Sequence, residues 1–293
     1  METTFPHPHS LKLPPFVPVS SPILRAILPI LLALTPLLPA SDFGVTKADI
    51  ESLSARDIPF IDFHVHLRGG MTVEKALARQ SSPGIRIGVL KNIGAGWPIE
   101  TDAQLRAFLD DSTGRGVYVG LQVNDRDWHT KHSRALLDRC DFILGDTMIM
   151  PMPDDSSPPV KLFKPDLYTI KDPEAWMKRY VDHNLKVLSE PITILANPTY
   201  LPKHVEDRYD QLWTDQRMGK IIAAAIANHV ALEINARSGY PSERFIRMAK
   251  KMGARFSFGT NNFDDKPIDM SRCHAAIAKY GLTKDDLHVP AAR

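Results

Sequence analysis

His64 and His66 stand one residue apart at the end of a short apolar run, Ile58-Pro-Phe-Ile-Asp-Phe-His-Val-His66. Imidazole ligates zinc and similar divalent ions, and it works as an acid or base near neutral pH. Side chains alternate along a strand, so Asp62, His64 and His66 are expected on one face, with the carboxylate one step deeper. Spacing alone does not assign chemistry, because His7-Pro-His9 repeats it. Context separates the pairs. The second follows a strand-like run and precedes Gly69-Gly70 and a helix start at Thr72-Val-Glu-Lys75.

The elements that would position these histidines alternate. Strand-like runs are expected at 58–65, 86–90, 117–123, 142–145, 192–196, 230–234 and 255–259. They are short, apolar and bounded by Gly, Asp or Asn. Helix-like stretches lie between them. Asp172-Pro173 supplies an N-cap with proline at the first helical position, and Gly253 and Gly281 supply helix ends. Strand–helix alternation means a parallel sheet, and seven units suggest a distorted TIM-like barrel of the α/β class. No glycine-rich G-x-G-x-x-G turn follows the first strand, which argues against dinucleotide binding. The Pro-rich stretch 147–170 after the fourth strand is long enough to overhang the mouth as a mobile lid.

In such a barrel, chemistry gathers at the C-terminal strand ends. Reading only those positions gives His64 and His66, then Lys91 and Asn92, Gln122 and Asn124, Asp146, Asn197, Glu233 and Asn235, and finally Asn261 and Asn262. Asn and Asp after strands also serve turns, and for Asn92, Asn124 and Asn235 taken singly that reading is the better one. Glu233 is different. It sits inside the apolar run Val230-Ala-Leu-Glu-Ile, where a carboxylate needs a partner or a metal.

Composition bounds the rest. There are 36 basic and 34 acidic residues, with no Lys/Arg run, so nucleic acid is not an expected partner. Cys140 and Cys273 are either two buried thiols or one bridge. Residues 1–40 are Pro-rich, and Ile27 to Leu38 is almost wholly apolar. That reads as a signal peptide, with export to a periplasm or the extracellular space, or else as a disordered or anchoring leader. The core of that segment is too short and too broken by proline for a good membrane span. Residues 41–56 then read as a linker and 57–293 as the barrel domain.

The best local matches, Ile61-Asp-Phe-His-Val-His66, Ile194-Leu-Ala-Asn-Pro198, Ala231-Leu-Glu-Ile-Asn235 and Gly253 to Thr260, resemble the PHP (polymerase and histidinol phosphatase) family. Those proteins are metal-dependent phosphoesterases on a distorted seven-stranded barrel. The resemblance spans Ile58 to Tyr280 and implies a metal-dependent hydrolase of a phosphoester or other small anionic substrate. The chain departs from the family pattern at Lys91-Asn92, Gln122, Asn124, Asp146, Asn197 and Asn261 to Phe263, so a three-metal cluster is not expected. What remains implies one divalent ion, zinc or manganese, on His64 and His66 with Asp146 and Glu233. Glu233 or Asp146 could instead act as base. Lys91 stands where the family places a metal-binding His, and would hold an anionic group. Asn92, Asn124, Asn197, Asn235, Asn261 and Asn262 would contact substrate. The alternative is a catalytically inactive barrel that binds a ligand or serves a structural role.

Overall fold

The computed structural model describes residues 43–81, 84–152 and 159–291. The expected leader and its export signal lie outside them. In chain order the elements are α1 (Lys47–Ser54), β1 (Ile61–His66), α2 (Val73–Ser81), β2 (Arg86–Ile93), α3 (Asp102–Ser112) and β3 (Tyr118–Val123). Two single turns follow, α4 (Trp128–Lys131) and α5 (Arg134–Leu137), then β4 (Phe142–Gly145), the hairpin β5 (Ile149–Met150) and β6 (Val160–Lys161), α6 (Pro173–Leu188) and β7 (Ile194–Leu195). The chain closes with α7 (Tyr209–Leu212), α8 (Asp215–Ala227), β8 (Ala231–Asn235), α9 (Glu243–Met252), β9 (Phe256–Gly259) and α10 (Ser271–Tyr280). No helix among the described residues is long and apolar enough to cross a membrane.

Seven parallel strands, β1-β2-β3-β4-β7-β8-β9, close into a barrel, as expected. Caps explain the helix bounds. The Thr101 hydroxyl accepts from the Gln104 amide, and the Asp172 carboxylate accepts from Glu174 and Ala175. Gly253 and Gly281 end α9 and α10 in the left-handed conformation that costs other residues energy.

Two apolar layers form. One lies between strands and helices; the other fills the lumen floor with Ile61, Phe63, Leu90, Phe142, Leu144, Ile194, Ala196 and Ala231. The Phe142 ring packs where a Cβ at Gly120 would lie 2.5 Å from it and one at Gly88 2.7 Å, so those glycines make room for the plug. With the floor filled, the lumen opens toward the C-terminal mouth.

β1 carries the main departure from strand alternation. Asp62 pairs with Ile87 but Val65 with Val89, so one extra residue is inserted between them. Such a bulge turns the side chains after it to the opposite face. Ile61 and Phe63 point into the lumen below the bulge, and His64 and His66 do so above it. Asp62 therefore does not share their face. Its carboxylate lies beside Arg79 and Ile87, and accepts from the Thr260 amide at 3.0 Å and the Thr260 hydroxyl at 2.7 Å. It fastens β1 to the chain after β9.

The stretch expected as a linker at 41–56 is also corrected. Thr46 and Asp49 form a capping box that starts α1, and Val45, Ile50 and Leu53 bury against the barrel. Both cysteines are buried and are not bridged to each other, and burial pushes the Cys273 thiol well above its ordinary range.

The excursion after β4 does reach the mouth: Met148, Ile149 and Phe163 line its cavity. The first part of it rests on α6, where the His183 ring lies within reach of the backbone at Thr147 and Ile149. Burial, and then the Arg126 charge, push His183 down to about 3. The unfolded chain would titrate it near 6.5. A base with a depressed folded value gives stability that is complete above pH 6.5 and drains as pH falls toward 3. Thermal melts between pH 7 and pH 5 should show a loss of about 2 kcal/mol at this group. His183→Asn, which keeps an N–H donor but cannot titrate, should remove this share of the slope and leave that of the other depressed histidines, His66 and His288; an unchanged slope would place the loss elsewhere.

Candidate functional site

A cavity of about 390 Å³ opens at the C-terminal ends of the strands. Six of the seven strands contribute by the same logic: lower residues fill the floor, and an inward position at or just past the end carries a polar group. β1 brings His66, β2 Asn92, β3 Gln122 and Asn124, β4 Asp146, β7 Asn197, and the chain after β9 Asn261. Arg68, Arg237, Ser238 and Tyr200 add polar groups, and Trp97, Phe163 and Phe263 line the rim.

Beneath this wall lies a buried pair. His64 Nδ1 donates to Glu233 Oε1 at 2.6 Å, with both side chains almost wholly out of water. Glu233 Oε2 accepts from the Asn197 amide at 2.8 Å and from Asn235 Nδ2 at 3.1 Å. Burial alone would lower the His64 imidazole, but the adjacent Glu233 carboxylate reverses that and holds it above its ordinary value. Glu233 goes the other way: burial opposes its charge, and His64 overcomes this to hold it below the usual range. This gives the partner that the sequence required for a carboxylate in an apolar strand. His64 Nε2 is buried with no partner.

Asp146 is on the cavity wall. It accepts from Gln122 Nε2 at 2.5 Å and from the Met148 amide at 2.7 Å, and burial raises its carboxyl above the ordinary value. His66 is held neutral, well below its ordinary value, by burial and then by the His64 and Arg68 charges.

The other expected residues divide. Asn92, Asn124, Asn197 and Asn261 line the cavity, and Asn197 and Asn261 do so from left-handed backbone, the conformation their side chains tolerate best among non-glycines. Asn235 and Asn262 do not line it. Asn235 Oδ1 accepts from the Arg237 and Ser238 amides and shapes the turn. Asn262 exchanges hydrogen bonds with the His66 backbone, donating to its carbonyl and accepting from its amide. Lys91 is not brought to the mouth. It lies on the helix-facing side of β2, with its ammonium 5.3 Å from the centre of the Phe108 ring. Arg68 and Arg237 supply positive charge instead. Neither position ends a strand, so a reading of strand ends passes over both.

The residues present do not fit a divalent ion. Among the described residues, no three His, Cys, Asp or Glu side chains gather as ligands. Glu233 and Asp146 each have both oxygens engaged by protein donors. That leaves the His66 ring and His64 Nε2, and the other neutral nitrogen and oxygen groups nearby are chiefly amides, a weak ligand type for zinc.

No family model matches this chain, and no curated protein matches it. Among solved structures, the crystal structure of an HpcH/HpaI aldolase from Desulfitobacterium hafniense DCB-2 matches at 13% identity with a TM-score of 0.31, over 78% of this chain and 93% of that one. That similarity is too remote to bear on fold or chemistry; the barrel rests on its own strand order.

Gly259 sets the clearance for the buried pair. A Cβ there would collide with Glu233 Oε1 and lie 2.6 Å from the His64 Cβ. Gly259→Ala should therefore destabilise the fold by about 1–3 kcal/mol in urea titration. Glu233→Ala, which strands His64 and the Asn197 amide, should cost about 3–5 kcal/mol. Wild-type stability in both variants would mean that the pair carries no structural weight.

Proposed function

We propose that this chain is an enzyme working by proton transfer on a small anionic molecule at the barrel mouth, a hydrolase before any other class. The observation that supports it is one cavity holding a carboxyl, Asp146, an imidazole, His66, and two guanidinium groups, Arg68 and Arg237. The carboxyl is pushed up and the imidazole down, which is how neighbouring groups come to divide acid and base roles at neutral pH. His66 then takes a proton from the attacking water. Burial favours the protonated carboxyl at Asp146, which would give its proton to the departing oxygen. The buried His64–Glu233 pair stiffens the wall behind them and keeps a charge beside His66 that maintains it neutral. The arginines hold the anion. The resemblance to the PHP family supports hydrolysis, while the donor set does not support that family's metal, and no step here uses one.

The ligand-binding reading has its own support in the amide-rich wall and in carboxylates that are already hydrogen-bonded. A panel of small phosphate and carboxylate esters separates the two. After dialysis against EDTA the enzyme should retain its turnover, and Asp146→Asn should lower kcat by about 100-fold or more without moving Tm by many degrees. Turnover lost to EDTA and restored by zinc or manganese would overturn the metal-free account. No turnover across the panel in the wild type would give the site to ligand binding.

A further inference from the structure

The cavity wall holds polar atoms that the protein itself leaves unpaired. Gln122 Oε1, both side-chain atoms of Asn124, and Asn197 Nδ2 are buried without a hydrogen-bond partner. All three residues line the cavity and are at least nine-tenths buried. Unpaired buried polar groups are costly, so four together on one wall point to a missing occupant. The set is mixed. Gln122 Nε2 donates to Asp146, which leaves Gln122 Oε1 as an unpaired acceptor. Asn197 Oδ1 accepts from the Ser238 hydroxyl, which leaves its Nδ2 as a donor. Asn124 offers one of each. A group that only accepts, such as a carboxylate or a fully ionised phosphoester, would satisfy the two donors and strand the two acceptors. Hydroxyl groups both donate and accept, so they satisfy all four.

The rim adds charge. Arg68 and Arg237 place their guanidinium carbons 4.9 Å and 3.6 Å from the centre of the Phe263 ring. Arg68 donates twice to the Asn262 carbonyl and Arg237 once to the Asn261 carbonyl. Neither forms an ion pair with a carboxylate among the described residues. Asp264 acts on Arg237 only at longer range, so two like charges held around one ring without an ion-pair contact suit an anion, and each planar fork still has donors to offer one.

We infer that the mouth takes a small polyhydroxylated carboxylic acid, of the size and type of a sugar acid, with its hydroxyls on Gln122, Asn124 and Asn197 and its carboxylate on Arg68 and Arg237. The cavity is in the range that holds one small-molecule ligand. This deepens the proposed function, because it names the substrate class of the same site.

The test is calorimetry at low salt on the full chain, with D-glucuronate, D-glucose, acetate and inorganic phosphate as probes. Glucuronate should bind, and the other three should each bind at least tenfold more weakly. Arg237→Gln should collapse the preference for glucuronate over glucose, and Asn124→Leu the preference over acetate. Should Asn124→Leu fail to fold, Phe263→Ala at the exposed rim frees both guanidiniums and should weaken glucuronate at least threefold. Acetate or phosphate binding as tightly as glucuronate would reduce the site to a bare anion site, and glucose binding as tightly would remove the arginines from it. No heat with any probe would overturn the inference outright. Glucuronate binding without turnover of any ester would remove the hydrolase and leave this inference standing; ester turnover without glucuronate binding would do the reverse.

Discussion

One buried interaction organises the mouth of this barrel: the hydrogen bond from His64 to Glu233 across the lumen. A charged pair taken out of water is costly unless every remaining valence is met. The sequence around it meets those of Glu233, while His64 Nε2 is left without a protein partner among the described residues. Asn197 gives its backbone amide and Asn235 its side-chain amide to the second Glu233 oxygen. Gly259 leaves the space that both partners occupy. The bulge in β1 brings His64 to the lumen and sends Asp62 to fasten the barrel seam at Thr260. These features sit on different elements, β1, β7, β8 and β9, so the pair ties together strands that are distant in sequence.

The cavity above the pair is built largely from amides and guanidiniums. Where a two-histidine, two-carboxylate set was expected to hold an ion, the histidine is paired with one carboxylate and the other is held by Gln122 and a backbone amide. A wall of this kind suits hydroxyls and negative charge, and in the proposed function Asp146 and His66 are the groups that move protons against a bound molecule.

The barrel was legible in the sequence because short apolar runs alternate with capped helices, and strand ends carried polar groups for a physical reason: the lumen floor consumes the apolar positions below them. The residues that escaped did so for equally physical reasons. Strict alternation places Asp62 with His64 and cannot see a bulge. It also does not say which face a strand-end residue takes, so Lys91 and Asn92 looked equivalent until β2 turned one out and one in. Helix α1 was hidden inside an apparent linker, although Thr46 and Asp49 spell a capping box. Arg68 and Arg237 are loop residues, and what singles them out is their convergence on Phe263, a residue far from both in sequence.

A crystal structure of the protein grown with both zinc and D-glucuronate, with anomalous data collected at the zinc edge, tests the central claim most directly. The expected result is glucuronate in the mouth, its carboxylate between Arg68 and Arg237 and its hydroxyls on Gln122, Asn124 and Asn197, with no anomalous peak beside His64. An anomalous peak bound by His64 and His66, with Asp146 turned away from Gln122 to meet it, would contradict the account and restore the metal to the centre of the site.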